Sequence, residues 1–197
     1  MLVFWRQRLV FLATPKTAST SIEEALAPMA AIVMLRPPQL KHTNAHRFHR
    51  FLKPFLQSST EKDFALTALM REPRDWLNSW YRYRQRPDEV ADKCTRHISF
   101  DDFVQAYCED RQPEFAKVGA QAMFLAPPNK PAVDHVFRYE NMGDFLHFLE
   151  DRLNTRIDLP KLNISPKGDD HLSAVTLALL QKSYARDFEI YESLGSD

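Results

Sequence analysis

The sequence predicts an α/β fold in which a mostly parallel sheet is flanked by helices. Two apolar segments, at residues 9–13 and 64–70, have the composition of buried strands, and residues 135–139 are predicted to form a further strand. A segment with helical spacing of its apolar side chains follows each of them. Because strands that alternate with helices usually form parallel sheets, this order predicts the fold class.

Length and composition favour a single globular domain that spans residues 1–197. The 26 Lys and Arg residues balance 26 Asp and Glu residues, so no global field favours nucleic acid or a membrane. No apolar run approaches the ~20 residues of a membrane span, and we expect none. Cys94 and Cys108 are too few for a disulfide framework, and reduced thiols in a cytoplasm are the simplest interpretation.

A short loop joins the first predicted strand to the first predicted helix. It contains Pro15 and Lys16 and then five small side chains, those of Thr17, Ala18, Ser19, Thr20 and Ser21. Such a turn directs backbone N–H groups and the positive end of a helix dipole to one place, and Lys16 adds a full charge. The loop therefore predicts a phosphate-type anion site. The alternative is that the hydroxyl groups merely cap an ordinary helix.

The first helix is predicted over residues 19–31, with Pro28 marking a kink or its end, and a short second strand follows at 31–35. No Asp or Glu occurs between residues 25 and 60, whereas Lys, Arg and His are frequent there. This asymmetry predicts a locally positive surface, either a solvated helix face or a site for an anionic acceptor or donor.

His42 and His46 lie in this basic segment. Their spacing of four residues could hold a metal ion on a helix. No third ligand is evident, so we expect no metal.

The third strand, 64–70, leads directly into Arg71 and a helix that starts near Pro73. Ser79 follows two turns into this helix, so the side chains of Arg71 and Ser79 can contact one ligand. The guanidinium fork suits phosphate, and the hydroxyl supplies a further donor. The alternative is an amphipathic helix with surface arginines.

The rest of the chain predicts further loops, helices and a strand. They are a loop at 83–93, a helix capped by Ser99, a weaker helix at 114–125, a fourth strand at 135–139, a helix ending near Asn154, and a closing helix from Ser173 to Tyr191.

Two of these segments resemble the donor-binding motifs of sulfotransferases. The loop around Lys16 resembles their 5′-phosphosulfate loop, although the family usually has Gly at the position of Ala18. The family's 3′-phosphate motif, Arg-x-Pro-x-Asp-x-x-x-Ser-x-Tyr, is matched by Arg71, Pro73, Asp75, Ser79 and Tyr81. The resemblance covers most of the chain and is strongest to short bacterial members related to carbohydrate sulfotransferases. It implies the P-loop-NTPase-like sulfotransferase fold.

The resemblance also implies the reaction, an in-line transfer of a sulfuryl group from 3′-phosphoadenosine 5′-phosphosulfate to an acceptor hydroxyl, for example on a carbohydrate or an anionic compound. It implies that Lys16 stabilises the departing phosphate oxygen and that a histidine, His42 or alternatively His46, is the general base. The implied donor contacts are Lys16, Thr17, Ala18, Ser19, Thr20, Ser21, Arg71, Ser79, and Lys167 with Gly168 in a late loop.

Two other functions fit the residues less well. A small-molecule or nucleotide kinase would need Mg²⁺ and a carboxylate to hold it, and no Asp closes an apolar strand. A non-catalytic module that binds a nucleotide would need the anion site but no base. A kinase would depend on Mg²⁺ for activity, whereas a sulfotransferase would not. A non-catalytic module would bind the donor without turning it over.

Overall fold

The computed structural model describes residues 1–130, 132–159 and 171–194. Within them, five strands form one sheet in the order β3–β1–β2–β4–β5, with β1 at Leu2–Phe4, β2 at Leu9–Phe11, β3 at Ile32–Val33, β4 at Ala65–Met70 and β5 at His135–Arg138. β4 pairs in parallel with β2 and β5, whereas β1 is antiparallel to β2 and β3. All strands except β1 therefore point the same way, which confirms the predicted mostly parallel sheet.

β1 does not appear among the predicted strands. Its three residues are fully or almost fully buried, and Val3 pairs with Val10 of β2 across a tight hairpin. A strand this short, followed closely by Arg6 and Arg8, has no periodicity by which it could be recognised. It nevertheless occupies the second position in the sheet and separates β3 from β2.

Helices cover both faces of the sheet. In chain order they are α1 Ser19–Leu26, α2 Pro38–Lys41, α3 Ala45–Arg47, α4 Lys53–Gln57, α5 Pro73–Tyr83, α6 Phe100–Tyr107, α7 Gln121–Leu125, α8 Met142–Leu153, α9 Ala174–Ser183 and α10 Ala185–Ser193. A π-helical segment, Phe48–Leu52, connects α3 to α4. None of the helices within the described ranges is long and apolar enough to cross a membrane.

Three apolar clusters hold these layers together. On one face of the sheet, Val10, Leu66 and Met70 pack with Phe48 and with side chains of α4 and α7. On the other face, Phe11 and Leu69 pack with α1 and α8. A third cluster joins α5, α6 and α9 away from the sheet. Strands β1, β2 and β4 are thus buried on both sides, as their apolar side chains require.

The first helix is shorter than the predicted range of residues 19–31. α1 ends at Leu26, and the chain continues as a 3₁₀ turn, Ala27–Met29. Pro28 lacks an N–H group and cannot make the next helical hydrogen bond, so the tighter turn replaces it.

Two later helix predictions are also wrong in their extent. The helix predicted at 114–125 is a 3₁₀ turn, Glu114–Ala116, separated from α7 by an extended stretch that contains Gly119 at φ 79°. The closing helix is divided into α9 and α10 at Tyr184. The ring of Tyr184 stacks on that of Tyr107 with centres 4.2 Å apart, and its hydroxyl donates to the Tyr107 carbonyl over 3.0 Å. This tertiary contact holds the break.

Candidate active site

The loop between β2 and α1 is bent sharply by two residues with left-handed backbone. Lys16 has φ 67° and Ala18 has φ 56°, a region that favours glycine. Between them Thr17 is fully buried, and its hydroxyl donates to the Thr14 carbonyl over 2.9 Å. The indole N–H of Trp76, from α5, donates to the Pro15 carbonyl over 2.9 Å. The loop conformation is therefore fixed both from within and by a neighbouring helix.

The N-terminus of α1 has no side-chain cap. Its N-cap residue is Ala18, which offers no acceptor, so the interpretation of the hydroxyl cluster as a helix cap is wrong. The hydroxyl of Thr20 instead accepts a hydrogen bond of 3.0 Å from Lys41. Backbone N–H groups of an uncapped first turn, together with the helix dipole, attract an anion.

Lys16 is surrounded by aromatic rings and other cations. Its ammonium lies 4.0 Å from the ring centre of Tyr83 and 5.4 Å from that of Trp80. Burial is the main cause that lowers the pKa of Lys16 from 10.5 to about 7. Three guanidinium groups lower it further, those of Arg86, Arg71 and Arg82. A bound anion would favour the charged form of Lys16.

Arg71 follows β4, and Gln121 of α7 holds its backbone on both sides. The Arg71 N–H donates to Gln121 Oε1 over 2.9 Å, and Gln121 Nε2 donates to the Arg71 carbonyl over 2.8 Å. The guanidinium carbon lies 4.8 Å from the ring centre of Tyr139. Its Nε is buried without a hydrogen-bond partner within the described residues. A buried guanidinium N–H in this position suits an oxyanion ligand.

Ser79 lies two turns into α5 and is buried, with 4% of its surface exposed. Glu72 caps this helix by accepting a hydrogen bond of 2.7 Å from the Asp75 N–H. The same helix supplies Trp80, Arg82 and Tyr83 to the site.

His42 follows α2, and its ring is held by the chain after β2. Nδ1 lies 2.6 Å from the Ala13 carbonyl oxygen. A carbonyl can only accept, so Nδ1 carries the proton of the neutral ring and the lone pair lies on Nε2. Burial is the main cause that lowers the pKa of His42 below its usual 6.5. The ring is therefore neutral at pH 7 and can accept a proton at Nε2.

Lys41, next to His42, is balanced by a buried acid. Its ammonium lies 3.0 Å from Glu23 Oε2, and Glu23 Oε1 lies 2.6 Å from the amino group of Met1. This pairing fixes α2 against α1.

These groups surround one cavity of about 660 Å³ at the carboxyl ends of β2 and β4. The cations that line it are Lys16, Lys41, Arg71, Arg82 and Arg86. No Asp or Glu lines it among the residues that the structure describes. A concave site of this size and sign suits a multiply charged anion.

A model of the sulfotransferase family matches residues 1–192. The chain belongs to the sulfotransferase family. A comparison with curated proteins found no match. Membership confirms the resemblance carried by the two motifs, and the α/β sheet fits the P-loop-like fold of this family. A sulfotransferase family member is a transferase that uses a sulfate donor and an acceptor substrate.

Most residues that the sequence predicts for the sulfotransferase site lie together. The cavity is lined by Lys16, Ala18, Ser19, Thr20, Ser21, His42, Arg71 and Ser79. Thr17 does not line it, because its side chain turns into the protein. His46 is absent from the described lining, whereas His42 is part of it. Lys167 and Gly168 lie outside the described residues.

Other residues of the site are not among the sequence predictions. Lys41, Trp80, Arg82, Tyr83, Arg86 and Tyr139 also line the cavity. Arg82 could have been found, because it follows Ser79 by three residues and so lies on the same helix face. The role of Gln121 depends on a contact fifty residues away in the chain, and nothing local in the sequence indicates it.

Proposed function

We propose that this sulfotransferase moves a sulfuryl group from 3′-phosphoadenosine 5′-phosphosulfate to a hydroxyl group of an acceptor such as a carbohydrate. One observation carries the proposal. One cavity brings together the uncapped N-terminus of α1, Lys16 and the buried Nε of Arg71, which has no hydrogen-bond partner within the described residues. No Asp or Glu side chain lines this cavity in the part of the chain that the structure describes.

Two features of the cavity fit a donor with phosphate groups at both ends. The first is the loop of Lys16 and the first turn of α1, which would hold the phosphosulfate through backbone N–H groups. The second is Arg71 with Ser79, which would hold the 3′-phosphate. The donor supplies the activated sulfuryl group. Holding both of its ends would fix the position of the sulfur, a contribution through orientation.

Lys16 and His42 would carry the chemistry from the protein's side. Lys16 lines the same cavity as the first turn of α1, and its ammonium would stabilise negative charge that develops on the departing phosphate oxygen. Nε2 of His42 would take the proton of the acceptor hydroxyl while Nδ1–H stays bonded to the Ala13 carbonyl. We favour His42 over His46 because His42 lines the cavity.

A kinase has less support, because the described lining offers no carboxylate to hold Mg²⁺. We also propose that the protein acts in a reducing, cytoplasmic environment. Cys94 and Cys108 are both free thiols, which agrees with this setting.

Calorimetric titration with 3′-phosphoadenosine 5′-phosphate, the product of the donor, tests the binding part of the proposal. Without Mg²⁺, we expect this ligand to bind far more tightly than AMP or ATP, because Arg71 and Ser79 contact the 3′-phosphate. Arg71→Ala should weaken binding by about 1.5–3 kcal/mol, the scale of hydrogen bonds to charged groups. Arg152→Ala, an exposed arginine on α8, is the matched control. Equal affinity for AMP would overturn the assignment.

Turnover tests the catalytic part. Lys16→Ala should lower the rate by ~10²-fold or more in a folded protein, as is typical when an oxyanion-stabilising group is removed. Lys182→Ala, on the exposed side of α9, is its control and should keep the wild-type rate. A folded Lys16→Ala protein with normal turnover would remove Lys16 from the mechanism. Binding of the bisphosphate without any donor turnover would favour the non-catalytic module.

The pH–rate profiles of His42→Ala and His46→Ala test the base. The wild-type rate should fall as the pH drops through the lowered pKa of His42, below 6.5. His42→Ala should lose this acidic limb and most of its rate, whereas His46→Ala should keep both. The reverse result would assign the base to His46.

A further inference from the structure

The wall of the cavity formed by α2 continues into an exposed segment outside the site. Every residue from 35 to 40 is exposed, and the segment includes Leu35, Arg36 and Leu40. Pro38 of this segment also lines the cavity, as does His42 just after it. The outer surface and the mouth of the cavity are therefore parts of the same stretch of chain.

A second exposed segment belongs to the helical stretch from α3 to α4. Its inner side is buried in the core through Phe48 and Leu56. On its outer side the rings of Phe51 and Phe55 are 58% and 64% exposed. The guanidinium of Arg50 lies 5.1 Å from the ring centre of Phe51. Two exposed phenylalanines one helical turn apart are an unusual feature of a surface that contacts only water.

A direct contact joins the two segments. Nη1 of Arg47, in α3, donates to the carbonyl of Gln39, in α2, over 2.8 Å. We define the docking surface as Leu35, Arg36, Leu40, Arg50, Phe51 and Phe55. The contact between Arg47 and Gln39 joins the two segments that carry these residues, and Pro38 and His42 connect the first segment to the cavity.

The docking surface is positively charged and apolar at once. Residues 25–60 contain no Asp or Glu, although the whole chain has a formal charge of zero. Lys53 is paired with Asp63 at 3.0 Å, so the available positive charge of this surface comes from its arginines. Arginines beside exposed aromatic and aliphatic side chains are the composition of protein segments that lie in the interface of an anionic bilayer.

We propose that the docking surface binds an anionic lipid bilayer, with Phe51 and Phe55 entering the boundary between headgroups and acyl chains. Arg36 and Arg50 then lie at the level of the lipid phosphates. Rings on the outer side of a helix enter fluid lipid without a matching pocket, which an acidic protein partner would have to supply. If the proposed sulfuryl transfer holds, this docking places the cavity mouth among lipid headgroups and makes a membrane-borne hydroxyl the acceptor.

Flotation of the full chain with vesicles tests the docking. We expect binding to phosphatidylcholine vesicles that contain about 30% phosphatidylglycerol, weaker binding to phosphatidylcholine alone, and loss of binding in ~1 M salt. Phe51→Ser with Phe55→Ser should lower the partition coefficient at least ~10-fold, since two large apolar side chains no longer enter the lipid. Val175→Ser, on α9 and 81% exposed, is the matched control and should bind like the wild type.

Charge reversal provides the second variant. Arg36→Glu with Arg50→Glu should lower binding to the anionic vesicles at least ~10-fold, because each basic residue near such a surface contributes about 1 kcal/mol. Arg152→Glu, an exposed residue of α8, is the control. Circular dichroism spectra and melting curves of all these variants should match those of the wild type, which would show that they are folded.

Several outcomes would overturn the docking. The first is that the wild type does not bind anionic vesicles. The second is that the variant with Phe51→Ser and Phe55→Ser binds these vesicles as well as the wild type does. The third is that the protein binds an acidic polypeptide such as polyglutamate but no vesicles. Self-association that disappears with Phe51→Ser and Phe55→Ser, without vesicle binding, would assign the surface to a second copy of the chain. Vesicle binding without any affinity for the bisphosphate would support the docking and reject the proposed reaction.

Discussion

At residue 18 an alanine occupies the left-handed region of backbone space, with φ 56° and ψ 21°. This conformation costs a residue with a Cβ atom roughly 1–2 kcal/mol, whereas glycine adopts it freely. Ala18→Gly should therefore raise the free energy of unfolding by about 0.5–1 kcal/mol, once the larger entropy of an unfolded glycine is deducted. Urea denaturation measures the change, and affinity for the bisphosphate should be retained.

Ala178→Gly provides the opposite case. Ala178 is exposed within α9, where glycine should lower the free energy of unfolding by about 1 kcal/mol. A loss of stability in both variants would show that the loop does not strain Ala18.

The lowered pKa of Lys16 should make binding of the bisphosphate depend on pH. With a pKa of about 7 in the free protein, the ammonium loses its proton as the pH rises, while a bound anion favours the charged form. Binding therefore takes up a proton above pH 7. Affinity for the bisphosphate should fall between about pH 7.5 and about 9.5, by up to tenfold per pH unit. Calorimetry in buffers of different ionisation enthalpy measures the proton uptake directly.

Lys16→Arg is the matched variant for this prediction, because a guanidinium stays charged over the whole range. His42, with its lowered pKa, is neutral throughout and does not contribute. The variant should bind the bisphosphate with little pH dependence. A flat profile for the wild type would mean that the ammonium stays charged in the free protein.

Among the elements, α7 holds the backbone of the cavity residue Arg71 through Gln121, which is not itself among the described residues that line the cavity. Gln121→Ala would leave the N–H and the carbonyl of Arg71 without their side-chain partner. Stability should fall by about 1–3 kcal/mol, and the bisphosphate should bind more weakly because Arg71 is less well fixed. Denaturation and calorimetry measure the two effects. Gln181→Ala, exposed on α9, should change stability by less than about 0.5 kcal/mol.

The elements also show what can be predicted from a sequence. The loop of Lys16 and the start of α5 follow buried strands directly, so local patterns indicate both their structure and their place at one sheet edge. The break at Tyr184 depends on stacking against Tyr107, and the clamp on Arg71 depends on Gln121. Both are contacts between distant residues, which no local pattern contains. The clustering of Arg86 with Lys16 depends in the same way on how α5 packs against the loop.

In the whole molecule, the cavity is assembled from separate parts of the chain, namely the β2–α1 loop, α2, α5 and Tyr139. A ligand that contacts all of them should stabilise the folded state as a unit. At a hundred times its dissociation constant, the bisphosphate should raise the free energy of unfolding by about 2.7 kcal/mol. For a chain of this size the melting temperature should rise by roughly 5–10 °C.

AMP at the same concentration should produce a much smaller shift, and Arg71→Ala should abolish most of the effect of the bisphosphate. Equal shifts from both nucleotides would indicate that the cavity does not distinguish a 3′-phosphate.

The reversed direction of β1 has a practical consequence. Since β1 is antiparallel to β2, the hairpin between them lies at the amino end of β2, and the cavity lies at the opposite, carboxyl end. Arg6 in this hairpin is exposed, while Arg8 is held 4.7 Å from the ring centre of Trp5. A fluorophore or a surface tether attached at residue 6 would thus leave the cavity mouth facing outward. Immobilised in this orientation, the protein would present the cavity to ligands in solution.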